Sequence, residues 1–347
     1  AYATLYQCGE AWMLDPVTLA SRGKAPWVPL DGISAHPKVD EATGEMMFFN
    51  YSKHAPFMHY GVVDRSGRLV HYVPVPHDMA ITKNWSILND MPLFWDEELL
   101  ARNIHAARIH DGLPTRFALI PRHGQPQDIR WFEAEPTYVL HWTNAWEEGA
   151  EVILEGYHQA KPMPDPLEEM GRYSHMMAYV DEHSFQSRLH RWRFNLRTGE
   201  TREERLSARI VEFGMINPRY AMRKSRYVWS TTTRPGWFLF NGYVRHDTEA
   251  GEEQVYRLPE GVYASESPMI PRKDAAAEDS GYLITFLIDE NTGTSQCAIL
   301  DASDVTKGPI CRLALPHKIC SGTHSVWVEH SQLRADAAFH ARRFAAA

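Results

Sequence analysis

The stretch Tyr282-Leu283-Ile284-Thr285-Phe286-Leu287-Ile288 runs directly into Asp289-Glu290-Asn291-Thr292-Gly293. The first seven residues are β-branched, aromatic or leucine, the composition of a strand. The next five form a turn, because Asp can close it through its side chain and Gly supplies the positive φ that ends it. The same turn recurs at Asp40-Glu41-Ala42-Thr43-Gly44, Asp64-Arg65-Ser66-Gly67 and Asn195-Leu196-Arg197-Thr198-Gly199. Further strand-like runs are Glu45–Phe49, Leu69–Val73, Tyr138–Trp142 and Trp237–Phe240. One kind of hairpin therefore joins antiparallel strands at least four times.

Helical signal is confined to Asp96–Ala107 and the tail Arg334–Ala347. Parallel α/β folds need helices between strands and are disfavoured. Short strands with recurrent hairpins fit a sandwich, barrel or propeller. At roughly 40–50 residues per four-stranded blade, the length fits a propeller of seven or eight blades. No strict repeat, linker or composition shift divides the chain, so residues 1–347 are read as one domain. Pro162–Pro166 and Ala275–Glu278 read as surface loops.

The 347 residues carry a formal charge of -8, with 44% hydrophobic and 23% charged residues. Those values suit a globular chain and not a disordered or fibrous one. An acidic balance argues against a nucleic-acid partner. The longest clean apolar run, Tyr282–Ile288, is too short to cross a bilayer, and the expectation from the opening residues is that no signal peptide is present. Cys8, Cys297, Cys311 and Cys320 make no CxxC pair and read as free thiols in a reducing, cytoplasmic setting. Unusual numbers are the 18 His among 11 Trp, 15 Tyr and 14 Phe, which suggest a metal site in apolar surroundings.

Nine histidines, His105, His110, His123, His158, His183, His190, His246, His330 and His340, sit among charges or turns and read as surface residues. Four others stand beside strand-like segments, where a buried imidazole needs a partner or a ligand. They are His36 in Ser34–Asp40, His77 in Pro76–Thr82, His141 in Val139–Glu147 and His324 in Ser321–Val328. Their spacings are far too long for a local motif such as HExxH, and spacing alone leaves four separately satisfied core histidines equally open.

These four segments, in this order, resemble the carotenoid cleavage oxygenase family. Asn84–Asp90, Arg130-Trp131-Phe132, Val211-Glu212-Phe213 with Asn217-Pro218-Arg219, and Ser265-Glu266-Ser267-Pro268 extend the resemblance, which runs from about Leu5 to Val328. It implies an all-β, seven-bladed β-propeller whose axis carries a non-haem Fe(II) held by His36, His77, His141 and His324. Neutral imidazole suits Fe(II), and carboxylates behind the ligands would fix their tautomers. By match to the family, Glu212 would support His141 and Glu266 would support His324. A third supporting position falls on Gln7, which accepts a hydrogen bond less strongly than an anion. Tyr6 stands where lignostilbene-cleaving relatives carry a phenol-binding lysine.

The implied partners are O2 and an apolar conjugated substrate, with peripheral membrane contact left open and the oligomeric state unread. The implied reaction is cleavage of a carotenoid or apocarotenoid double bond into two carbonyl products. A stilbenoid-cleaving dioxygenase and a ligand-binding propeller without turnover are the alternatives. Trp85, Trp142, Trp146, Trp237, Phe238 and Phe240, with Tyr6, are candidates for a substrate tunnel, against core packing for any one of them. The chain starts inside the first matched motif, and Val73-Pro74-Val75-Pro76 enters His77 with little of the usual loop. The expectation is that segments have been left out of the sequence.

Overall fold

The computed structural model describes residues 1–4, 8–51, 58–74, 79–95, 98, 101–102, 107–110, 112–159, 171, 186–234, 239–320, 324–331 and 333. The chain separates into two compact units. The first comprises Ala1–Met79, Ile120–Ile129 and Val326–Ala347, and the second Ala80–Leu119 and Arg130–Ser325.

In the first unit β1 (Tyr2–Ala3), β2 (Trp12–Leu14) and β3 (Ser21–Lys24) form a three-stranded antiparallel sheet. A four-stranded meander follows, of β4 (Lys38–Asp40), β5 (Glu45–Tyr51), β6 (Met58–Val63) and β7 (Leu69–Pro74). Ala11, Trp27, Ile33, Phe48 and Val63 pack together as its core.

The second unit begins with β8 (Met79–Ile81) and β9 (Trp85–Asp90). A ribbon of β10 (Leu93–Trp95) and β11 (Ala107–Ile109) interrupts them before β12 (Thr115–Pro121) and β13 (Arg130–Ala134), giving the sheet order β13-β12-β9-β8. Two further meanders are β14 (Trp142–Glu148), β15 (Glu151–His158), β16 (Arg188–Asn195), β17 (Thr201–Arg205), and β18 (Val211–Met215), β19 (Tyr227–Thr232), β20 (Gly242–Asp247), β21 (Glu252–Arg257). The last sheet has five strands: β22 (Val262–Ala264), β23 (Met269–Pro271), β24 (Gly281–Asp289), β25 (Thr294–Asp301) and β26 (Pro309–Ala314).

Apolar clusters fill the spaces between successive sheets of this unit. Phe117, Phe132, Leu154, Trp192 and Phe194 form one, and Tyr157, Leu189, Val211, Val228 and Val244 the next. Trp229, Tyr243, Leu283, Leu287 and Leu300 belong to the third. Alternation explains the arrangement: on β24, Leu283, Thr285 and Leu287 are buried while Phe286 between them is exposed.

The expected turns form as read. Asp289 Oδ1 accepts the Asn291 amide at 2.9 Å and Asn195 Oδ1 that of Arg197 at 2.9 Å. Gly293 and Gly199 then take φ of 66° and 79°. A fifth example was missed in Asp247–Gly251, where Asp247 Oδ1 accepts the Ala250 amide at 3.0 Å.

The blade count differs from expectation. Instead of a seven-bladed propeller, the described residues build six blades, two in the first unit and four in the second. Dividing length by residues per blade treats all chain as blade, whereas the β10–β11 ribbon consumes chain outside any blade. Three histidines read as surface residues also differ: His190 and His246 are buried and His158 is half-buried, because each lies on a strand whose inward face it shares. The expected helix at Asp96–Ala107 falls mostly outside the described residues, and those at Arg334–Ala347 and the loop Pro162–Pro166 fall wholly outside. Among the described residues no helix is long and apolar enough to cross a membrane.

Candidate metal centre

His141 stands immediately before β14, and Glu212 is the second residue of β18. Their side chains meet with His141 Nδ1 donating to Glu212 Oε2 at 2.7 Å. The same carboxylate oxygen accepts the backbone amide of Phe213 at 2.6 Å. Thr231 on the neighbouring β19 anchors the strand by donating its hydroxyl to the Glu212 carbonyl at 2.9 Å. Glu212 Oε1 is buried and accepts no hydrogen bond from the described residues.

A bulge makes this geometry. The β18–β19 register slips between Glu212 and Met215, and Phe213 sits at φ 53°. A bulky residue in the left-handed region is costly, about 1–3 kcal/mol, and persists only when its surroundings enforce it. Here the turn-like backbone brings the Phe213 amide onto the carboxylate of its predecessor. It also lays the Phe213 ring on His141, with centroids 4.8 Å apart. Gly214 completes the bulge where no side chain fits: a Cβ there would run into the Tyr157 hydroxyl oxygen and Thr143 Cγ2. Burial, reinforced by the Glu212 charge, pushes the Tyr157 hydroxyl well above its ordinary pKa. It stays protonated, bonded to Ser230 Oγ at 2.7 Å.

The second pair repeats the scheme. His324 Nδ1 donates to Glu266 Oε2 at 3.1 Å, and that oxygen also accepts the Ser325 amide at 2.9 Å. Glu266 lies on the extended link between β22 and β23, and serines on both sides tie the link to β24. The Phe286 amide donates to Ser265 Oγ at 3.2 Å, and Ser267 Oγ donates to the Ile284 carbonyl at 3.2 Å. Both carboxylates are buried, while the side chain of His324 is 48% exposed and that of His141 19%.

The two imidazoles stand edge to face, with centroids 5.0 Å apart and planes at 87°. Phe213 touches both, its ring centroid 5.7 Å from that of His324. Phe240 backs Phe213 at 5.2 Å. Donation from Nδ1 to a carboxylate places the proton on that nitrogen and the lone pair on Nε2, the tautomer a metal requires. Neutral imidazoles presented in this way match the donor preference of Fe(II) and its neighbours in the series.

His36 belongs to the first unit, between Ser34, whose amide donates to the Phe49 carbonyl at 2.8 Å, and β4. His77, Gln7, Tyr6, Trp237 and Phe238 lie outside the described residues. Among the described residues no three His, Cys, Asp or Glu side chains are gathered as a metal cluster. Trp85 and Trp142 pack into the core shared with Phe117 and Trp192, with Trp142 5.9 Å from Phe117 between centroids. Trp146 is buried beneath the Arg191 guanidinium at 5.7 Å. A bulge between Trp142 and Asn144 explains their opposite facing, since it reverses the side-chain phase along β14. Of the proposed tunnel aromatics that are described, Phe240 is the one joined to the histidine pair, through Phe213. Phe213 itself had no role assigned from the sequence, because nothing local announces a positive φ at a phenylalanine.

Two other motif segments are braces. Glu147 accepts the Thr82 hydroxyl at 2.7 Å and the Asn84 amide at 2.9 Å, clipping the Asn84–Asp90 segment to the His141 strand. Asn217 Nδ2 donates to the Glu278 carbonyl at 2.7 Å, and Arg219 Nη1 to that of Ala275 at 3.3 Å, holding the Ala275–Glu278 loop.

Blades of antiparallel strands carrying imidazoles backed by buried carboxylates define a class, the bladed all-β proteins with a histidine centre. Within that class, the model of the family described as retinal pigment epithelial membrane protein matches residues 1–329. The chain belongs to that family, the carotenoid cleavage oxygenases, whose members depend on non-haem iron. It is 34% identical to a carotenoid 9,10(9',10')-cleavage dioxygenase 1 of Pisum sativum, over 88% of this chain and 60% of that protein. It is 30% identical to the isoeugenol monooxygenase of Pseudomonas nitroreducens, over 92% of this chain and 71% of that one. The structure of cobalt-substituted Synechocystis apocarotenoid oxygenase has the same fold, with a TM-score of 0.81 at 21% identity, covering 94% of this chain and 72% of that one. The chain thus spans about three fifths of the length of the first curated relatives it matches.

Proposed function

We propose that this chain carries the metal centre of a non-haem Fe(II) dioxygenase that cleaves one C=C bond of a carotenoid or apocarotenoid. One alkene and one O2 give two carbonyl compounds, so both oxygen atoms are accounted for. The observation that carries the reading is the repeated pairing of His141 with Glu212 and His324 with Glu266, each imidazole held by Nδ1. The 34% identity to a carotenoid-cleaving relative supports the substrate class.

In this reading His36, His77, His141 and His324 hold the iron. Ferrous iron bound there would supply the activation of O2. The protein's own side chains do the rest. Glu212 and Glu266 keep the Nδ1 protons in place and orient the rings, and as buried anions they offset the charge of the dication. Gln7 is the third supporting group by family match. Phe213 and Phe240 present apolar surface beside the histidines, keep water off that side and offer a polyene contact by area instead of by polar bonds.

A second reading is cleavage of a phenolic alkene of the stilbenoid or isoeugenol kind, favoured by the 30% identity to isoeugenol monooxygenase. Tyr6 in place of a phenol-binding lysine weighs against it. Iron-loaded protein incubated in air with β-apocarotenals, resveratrol and isoeugenol separates the two by the aldehydes released. Polyene-derived aldehydes as the dominant product are expected. Faster turnover of both phenols than of every polyene would reverse the substrate assignment.

A further inference from the structure

Two cysteines, on the strands that precede His324 in the chain, meet on the last sheet of the second unit. Ile299 on β25 pairs with Cys311 on β26, and Cys297 pairs with Leu313. Side chains alternate along a strand, so Cys297, Ile299, Cys311 and Leu313 share one face and the two thiols are diagonal neighbours. Ile284 and Phe286 of β24 extend that face, as partners of Ile299 and Cys297. The opposite face, with Leu283, Leu287, Ala298 and Leu300, is the one buried in the core. Both thiols are free and partly buried, and the flanking Phe286 and Leu313 are 38% and 53% exposed, so solvent reaches the pair.

We propose that Cys297 and Cys311 form a two-thiolate site for a soft monovalent cation of the Cu(I) class. Diagonal neighbours in an antiparallel pair stand about 7–8 Å apart, with Cβ atoms somewhat closer. A disulfide needs Cβ atoms within about 3.5–4.5 Å, so these thiols do not close one unless the strands move. A cation held linearly between two thiolates separates the sulfurs by about 4.6 Å, twice a metal–thiolate bond of about 2.3 Å, which suits the diagonal spacing.

The surroundings select the softness. The nearest neighbours of the two thiols on this face, Phe286, Ile299 and Leu313, carry no oxygen or nitrogen side-chain donor, and the oxygens farther along β25 are engaged, Asp301 with Arg272 and Ser295 with the Ile319 amide, so a hard cation seeking six or more oxygens is poorly served here. Thiolate donors favour Cu(I). Burial, and then the neighbouring Cys311, hold the Cys297 thiol above its ordinary pKa, because adjacent thiolates repel. A cation between them removes that repulsion. On binding, two S–H bonds break, two S–Cu bonds form, and two protons pass to solvent. The cation keeps its oxidation state, so neither oxidant nor reductant is consumed.

The test uses the full chain under anaerobic conditions, with Cu(I) supplied from a chromogenic chelate and bound copper read from the chelator's colour. Wild type should take up about one equivalent more than Cys297→Ser, Cys311→Ser or Cys311→Ala, while Cys8→Ser and Cys320→Ser retain it. Circular dichroism confirms that each compared variant is folded, and the alanine at the edge-strand position serves if a serine there does not fold. Equal uptake by folded wild type and the Cys297 or Cys311 variants overturns the site.

Discussion

His141 and Glu212, 71 residues apart in the chain, meet at 2.7 Å across two neighbouring sheets. The carboxylate that receives the imidazole is simultaneously bound to the amide of Phe213, the residue whose positive φ makes the bulge. Ring orientation and backbone irregularity are therefore one feature.

The metal assignment is tested by composition. His141→Ala and His324→Ala should each lower bound iron severalfold and abolish turnover. His71→Ala should leave iron unchanged, since His71 Nε2 donates to the Gly124 carbonyl at 3.0 Å in the first unit. Iron measured by mass spectrometry on purified protein decides it, and normal iron in His141→Ala would remove that residue from the ligand set.

Glu212→Gln keeps an oxygen for one of the two donors but loses the anion. Metal affinity or activity should fall about 10–100-fold. Thermal unfolding of the metal-free variant provides the contrast. If the midpoint drops while iron affinity of the folded protein is unchanged, Glu212 serves the fold alone.

Gly214→Ala places a methyl group against Tyr157 and Thr143. Overpacking of this kind costs about 1–3 kcal/mol and should displace Glu212 along with the bulge. Gly214→Ala combined with Tyr157→Phe, which removes the clashing hydroxyl, should recover part of the stability in urea titration. No recovery would mean that the backbone itself, and not the Tyr157 contact, demands glycine.

Stability should fall with pH below neutrality through His158. Burial first, and then the neighbouring His190, hold this ring down to about 4 from its ordinary 6.5. The folded state therefore excludes a proton that the unfolded chain accepts, so the stabilisation is complete above pH 6.5 and is lost as pH falls toward 4. The limiting slope is about 1.4 kcal/mol per pH unit for a fully desolvated ring, and less for this half-buried one. Glu203, kept low by His190 and the Glu135 amide despite its burial, adds loss in the same direction at lower pH. Urea midpoints between pH 7.5 and 5 should decline less steeply in His158→Gln, and identical slopes would exclude His158.

Much of the secondary structure was legible because its causes are local. Asp289 and Gly293, or Asn195 and Gly199, close a turn with atoms only a few residues apart, and the β-branched and aromatic run Tyr282–Ile288 marks a strand, though which of its faces turns inward, with Thr285 buried and Phe286 exposed, was left to the tertiary structure. The pairing of Glu212 with His141 and Glu266 with His324 was legible only through family resemblance, because no physical signal in the chain links residues so distant.

What the sequence determined by itself was an all-β chain of hairpin-linked strands, while the histidines and glutamates of a metal centre were singled out only through the resemblance to a family. Tertiary structure alone decided that the described residues form six blades, that Trp142 faces the core while Phe213 faces the imidazoles, and that one carboxylate oxygen serves both a ring and a backbone amide. The reason is range. Turns and strand periodicity are set by neighbours in the chain, whereas sheet stacking, bulges and the facing of side chains follow from which distant strands bury each other's surfaces.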